Sequence, residues 1–200
     1  MVLWTFRRNE NDVVNLYNTL SPVMQLATGG NMLNFGYWHK DDISPIDAQN
    51  RLCNKIGQLT ELDSARSLLD VGSGLSSPSI RWAKLHPNTN ILCLNINYNQ
   101  LQLAKKTLNK NIPSSMIQVI NSTATKFPLS SNSMERIIAL ESAQHFKPFS
   151  NFNRRFIMKA RFSTKCIVCD AFIEKGKEIA KNEDGNWVHK HCVSEILEIP

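Results

Sequence analysis

SLLDVGSG, residues 67–74, decides the fold. An apolar run of strand length ends at Asp70-Val71 and turns on Gly72 and Gly74, and SPSIRWAKLHP (77–87) follows with the composition of a short helix. Glycine tolerates the backbone angles of a tight turn and lets a ligand approach the main chain closely. The free N–H groups at the start of the next helix then face any polar ligand lying against that turn. A glycine pair carries weight only in this strand–turn–helix setting.

Outward from the turn the same rhythm continues. NILCLNIN (90–97) reads as a strand, YNQLQLAKKTLNK (98–110) as a helix, and SMIQVINST (115–123) and MERIIALE (134–141) as a third and a fourth strand. Strands alternating with helices predict βαβ units and a parallel sheet. Upstream, residues 11–28 and 45–61 carry apolar residues at helical spacing, the first stretch stopped by Gly29-Gly30, and the aromatic LNFGYW (33–38) lies between them. The expected fold class is therefore α/β: N-terminal helices and a partial Rossmann-like parallel sheet of four strands. The βα pattern stops near Pro148. This places a first domain at 1–150, a basic linker at 151–164 and a small module at 165–200.

In order along the chain, LNFGYW, DVGSG (70–74), NINYNQLQLA (95–104) and ESAQHF (141–146) resemble the landmarks of class I S-adenosylmethionine-dependent methyltransferases. The likeness is to those acting on sterols, tocopherol precursors and fatty acyl chains, and it runs over roughly residues 15–147. It implies S-adenosylmethionine as cofactor. Gly72, Ser73 and Gly74 would lie against its methionine portion, while Asp70 would either order the loop or hold the amino group. Asn95 would meet the ribose hydroxyls where most relatives carry an acid, with Ile96 and Gln100 beside it. Thr123 and Ala124 would lie near the adenine, Thr123 standing where relatives often have an acid. Tyr37 and Trp38 would cover the methionine or substrate side, and Glu141 and His145 would supply polar groups there.

Two departures predict weaker cofactor binding: Ser76 replaces the third glycine of the loop, and Thr123 replaces the acid. Transfer to an activated nucleophile is an in-line displacement, so the protein mainly positions the reactants and excludes water. Where the nucleophile is a hydroxyl or an acidic carbon, His145 is the candidate base, since imidazoles ionise near neutral pH. The plainer readings remain open: His145 as a hydrogen-bonded structural residue, Glu141 as a helix cap, the aromatics as core, and DVGSG as a dinucleotide loop.

The tail has another chemistry. Cys166-x2-Cys169, 19 residues, and His189-x2-Cys192 give two ligand pairs able to close a tetrahedral zinc site of three sulfurs and one nitrogen. His191 is the alternative nitrogen ligand. The intervening segment reads as a β-hairpin with a turn at Asp184-Gly185. The spacing resembles the first zinc module of LIM domains and, more broadly, treble-clef fingers. Four protein ligands leave no open position, which implies a structural Zn2+.

The composition, 42% hydrophobic and 20% charged over 200 residues, is that of a globular chain and excludes a disordered one. The net charge is +6, and the one local basic cluster is Arg154, Arg155, Lys159, Arg161 and Lys165, which reads as a solvated linker or as a track for a phosphate backbone. No apolar run reaches the roughly 18 residues that cross a bilayer, and the N-terminus lacks a signal peptide's order, so a cytoplasmic protein is expected. A full class I sheet has seven strands. With four, the last is expected at an exposed edge, inviting self-association or cover by the tail. Two functions follow as expectations: methyl transfer to a small or lipid-like molecule, or a non-catalytic remnant that binds protein or nucleic acid through its zinc module.

Overall fold

The structure is a computed structural model that describes residues 9–40, 44–113, 115–126, 128–130, 133–146, 158–159, 164–174, 177–181 and 186–192. The chain divides into two compact units, Met1–Lys147 and Pro148–Pro200.

The first unit opens with two helices. In α1 (Glu10–Thr28), Asn9 caps the start, its side chain accepting from Asp12 N at 3.1 Å while the Asp12 carboxylate accepts from Asn9 N at 3.2 Å. Such reciprocal capping satisfies two of the N–H groups a helix start leaves unpaired. Gly29, at φ 72°, ends it. Helix α2 (Pro45–Leu59) begins at Ser44, whose hydroxyl accepts from Asp47 N at 3.2 Å.

The sheet comprises β1 (Ser67–Val71), β2 (Asn90–Asn95), β3 (Ile117–Asn121) and β4 (Arg136–Ile138), all parallel and in the order β3-β2-β1-β4. Helix α3 (Ser77–Leu85) joins β1 to β2, and α4 (Tyr98–Asn111), capped by Asn97, joins β2 to β3. This is the α/β architecture that the alternation of patterns predicts. Leu68 to Val71 are all buried, as expected of a central parallel strand covered on both faces. The core gathers Cys53, Leu62, Trp82, Leu68, Ile91 and Cys93, and the Trp82 indole donates to the Cys53 carbonyl at 2.9 Å, tying α3 to α2. Truncating so large a buried side chain to alanine typically costs about 3–5 kcal/mol.

The order of the strands positions the site. From β1 the chain steps outward to β2 and β3, then returns to pair β4 on the other side of β1. Ligands of open α/β sheets bind outside the carboxyl ends of the strands at such a reversal. Register brings those ends level: Asp70 lies opposite Cys93 and Ile138, and Asn95 opposite Asn121.

In the second unit, β5 (Met158–Lys159) pairs antiparallel with β8 (Glu178–Lys181), which pairs with β9 (Trp187–His189), and β6 (Thr164–Lys165) pairs with β7 (Phe172–Ile173). β8 and β9 form the expected antiparallel pair, while the turn at Asp184-Gly185 lies outside the described residues. So do Arg154, Arg155 and Arg161 of the basic segment. Cys166, Ile173, Ile179 and Val188 make the small core.

Candidate functional site: a cavity at the strand ends and a cysteine-histidine cluster

The loop after β1 is shaped by its two glycines. Gly72 takes φ 76° and Gly74 φ 55°. Gly72 N and Ser73 N both donate to Leu94 O, at 2.7 and 3.1 Å, folding the turn back over β2. A Cβ on Gly72 would lie 2.5 Å from Ser142 Cβ, so only glycine fits. The Ser142 hydroxyl donates to Val71 O at 2.6 Å, locking the segment after β4 to the same turn. Ser76, fully buried, also adopts a left-handed conformation at φ 58°, which a glycine would hold with less strain.

Asp70 is the electrostatic focus. It is buried, and loss of solvent pushes its carboxyl up to about 6, against the opposing hydrogen bond from the Ser79 hydroxyl at 2.5 Å. Burial likewise pushes the thiols of Cys53 and Cys93 up to about 12.

The strand ends enclose a cavity of about 960 Å³, mouth included. Its wall brings together Asp70, Gly72, Ser73, Gly74, Asn95, Ile96, Gln100, Thr123, Ala124, Glu141 and His145 of the residues expected from sequence. Tyr37 and Trp38 are not in that wall; they are 48% and 52% exposed, with the Trp38 indole turned back to donate to Phe35 O at 2.7 Å. Glu141 takes φ 50° and accepts from Phe35 N at 2.7 Å, so it anchors the segment that carries them. The Asn95 amide protons are spent internally, on Gly74 O at 3.2 Å and Gln100 Oε1 at 2.8 Å. Its Oδ1 is left facing Asn97 N at the long distance of 3.5 Å.

Sequence reasoning missed the part played by α1. Glu10, Val13 and Tyr17 all line the cavity. The Tyr17 hydroxyl meets His145 Nε2 at 2.9 Å, Gln100 Nε2 donates to Ser21 Oγ at 2.8 Å, and Asn97 Nδ2 donates to Asn18 Oδ1 at 3.0 Å. The Thr123 hydroxyl donates to Glu10. Helical periodicity marks an apolar stripe, whereas these contacts come from polar positions and span 79 residues or more.

Sequence also gave no sign of Asn34. It is 5% exposed, lines the cavity, and among the described residues its Oδ1 has no hydrogen-bond partner. A buried acceptor without a donor is costly, so a ligand with an N–H or O–H group fits the cavity at that point. S-adenosylmethionine has an ammonium, ribose hydroxyls and an amino-bearing ring, and the wall offers acceptors for such donors.

In the second unit, ligand atoms of Cys166, Cys169, His189 and Cys192 lie within 4.8 Å of one another, with Cys169 Sγ 3.3 Å from His189 Nδ1. Sulfurs on a tetrahedral zinc at bond lengths near 2.3 Å stand about 3.8 Å apart, so the donor set suits that ion with slight contraction. Burial alone would raise the Cys166 thiol, but backbone N–H groups of Cys169, His189 and Val168 overcome it and bring it to about 5. The Cys192 thiol is pushed up to about 12, by burial first and then by its two sulfur neighbours. His191 stacks on His189 with ring centres 5.0 Å apart.

A glycine turn at the reversal point of a parallel sheet, opening into a cavity, is the ligand-binding arrangement of an open Rossmann-like α/β sheet. Residues 69–157 match the family model described as a methyltransferase domain. The chain is 23% identical over 150 residues to erythromycin 3''-O-methyltransferase of Saccharopolyspora erythraea, covering 75% of this chain and 49% of that protein. It is 24% identical over 135 residues to 27-O-demethylrifamycin SV methyltransferase of Amycolatopsis mediterranei, covering 68% and 49%. The crystal structure of the [4+2]-cyclase SpnF shares the fold at a TM-score of 0.67 and 24% identity, over 72% of this chain and 53% of that one. The chain thus spans about half the length of the curated relatives it matches. Among the described residues no helix is long and apolar enough to cross a membrane.

Proposed function

We propose that the first unit binds S-adenosylmethionine in the strand-end cavity and serves methyl transfer to a small or lipid-like molecule, while zinc holds the second unit together. The observation that carries this is the convergence of the four strand ends on one cavity with a buried carboxylate, a glycine turn and an orphaned acceptor in its wall. The relatives named for O-methylation of erythromycin and of a rifamycin favour a hydroxyl-bearing acceptor.

When bound, the cofactor supplies an electrophilic methyl group. The chain's residues do the rest. Asp70 and Asn34 offer acceptors to the ammonium end, the Gly72–Gly74 backbone lies against the chain that follows it, and Asn95 offers Oδ1 to a ribose hydroxyl. Glu141 holds the Phe35 segment against the end of β4 and contributes a carboxylate on the acceptor side. His145 takes up a proton from the attacking hydroxyl, its ring oriented by the Tyr17 hydroxyl.

Ser76 and Thr123 favour the second reading, a non-catalytic binding protein. Ser76 strains the turn, and Thr123 is uncharged where the resemblance implies an acid. Calorimetric titration of the full chain with S-adenosylmethionine and its demethylated product separates the readings. Saturable binding that Asp70→Ala abolishes supports the cofactor site, and absence of binding up to millimolar ligand would overturn it.

A further inference from the structure

The proposed cofactor site has two ends, and only one is explained by the glycine turn. At the other, the loops after β2 and β3 are fastened into a single wall. Asn121 Nδ2 donates to both Asn95 O and Ile96 O at 2.9 Å, and Ser122 N donates to Asn95 O at 3.2 Å. Ile96, Ala124 and Val13 give this end apolar surfaces, and the charged group among them is Glu10, delivered by α1. The Thr123 hydroxyl donates to Glu10 Oε1, and the same hydroxyl lies 3.1 Å from Thr125 Oγ1.

Glu10 is not a solvated side chain that happens to pass by. The Asn9 cap fixes the helix start from which it projects, and a carboxylate in a first helical turn is favoured by the helix dipole. Further along, the bonds from Asn97 to Asn18, Gln100 to Ser21 and Tyr17 to His145 hold α1 across the cavity. Among the described residues no lysine, arginine or histidine pairs with Glu10. An ionised carboxylate only accepts, and it has about four acceptor positions, of which the Thr123 hydroxyl takes one. Apolar walls with an acceptor-only group at their edge suit a flat heteroaromatic ring carrying an amino group.

We propose that Glu10 reads the exocyclic amino group of the cofactor's adenine, so that a carboxylate from α1 does what Thr123, being uncharged, cannot. This deepens the cofactor assignment above and rests on it. Thr123 becomes a positioning residue that aims Glu10.

The test is calorimetric titration of the full chain with S-adenosylhomocysteine and with S-inosylhomocysteine, in which a ring carbonyl replaces the amino group. The wild-type chain should prefer the adenosyl compound by about tenfold or more, as expected for a hydrogen bond to a charged group. Glu10→Ala should bring the two affinities to within about twofold, chiefly by weakening the adenosyl compound. Glu10→Gln, which can donate to a carbonyl, should improve binding of the inosyl compound, and Thr123→Val should lose part of the preference. A melting curve for each variant shows whether it is folded, and Glu10→Gln serves if Glu10→Ala is not. An unchanged preference in both Glu10 variants, with adenosyl binding intact, overturns this inference and leaves the cofactor site standing. Failure of the wild-type chain to bind either compound overturns both.

Discussion

The carboxyl of Asp70 makes the first unit's stability depend on pH in a direction that can be worked out beforehand. Its ordinary value is 3.8, and burial lifts it to about 6 in the folded chain. The group is therefore more easily protonated folded than unfolded. The stability it contributes is complete below pH 3.8, declines as pH rises, and is gone once pH has passed about 6. The gap of roughly two units, at about 1.4 kcal/mol each, amounts to about 3 kcal/mol lost between pH 4 and 7. Asp70→Asn removes the ionisation and keeps an acceptor for Ser79. The variant should match the wild type near pH 4 and exceed it by about 3 kcal/mol at pH 7, or by roughly 6–12 °C in melting temperature for a domain of this size. Denaturant unfolding of both chains from pH 4 to 8, following the tryptophans, isolates this residue because all other titrations are common to the two. Parallel pH curves would refute the argument. The same substitution should weaken S-adenosylmethionine binding, so that stability rises as ligand affinity falls.

Gly72→Ala should abolish ligand binding and cost about 2 kcal/mol or more, because its Cβ would meet Ser142 at 2.5 Å and its backbone sits at φ 76°; a melting temperature within 1 °C of wild type, taken as about the size of an ordinary surface substitution, would count against it. Elemental analysis should find about one zinc per chain, and chelation or Cys166→Ser should unfold the second unit, since so short a segment cannot bury enough apolar surface alone. Less than about half an equivalent of zinc, with the second unit still folded, would sink that assignment. In the native chain Cys53 and Cys93, buried and held protonated, should resist thiol reagents. Chelation should release the reactivity of Cys166, Cys169 and Cys192, and rapid labelling of Cys93 in the zinc-loaded chain would contradict the buried placement.

The sheet was legible because its signal is local. Leu68 and Leu69 run into Asp70, Gly72 and Gly74, and each later strand is bounded by its own helix or polar loop. The cavity residues that follow strand ends, such as Asn95 and Thr123, were legible for the same reason. The resemblance implies Tyr37 and Trp38 as cover for the cavity, yet both are exposed and outside its wall. Gly36 lies so close to α2 that a Cβ there would meet Ala48 at 2.8 Å, and the hydrogen bond from Tyr37 N to Ala48 O fixes the turn. No pattern in LNFGYW foretells that docking. Glu10, Tyr17 and Asn34 are not legible because their roles arise only when α1 and the segment after it cross strand ends distant in sequence, and a polar residue on a helix otherwise reads as solvated surface.

The way α1 is fastened has a kinetic consequence. Its one fully buried residue is Ser21, Val23 and Leu26 are exposed at 58% and 87%, and its attachment to the strand ends runs through side-chain hydrogen bonds. Each such bond is worth only about 1 kcal/mol net, and all of them can be replaced by water. Release of this helix is then a low-energy opening that leaves the Trp82 core intact, and its amides should exchange with deuterium well before those of β1. A ligand that bridges Glu10 and the glycine turn closes the opening behind it, so occupancy of the cavity can be read from the protection of the helix that lines one side of it.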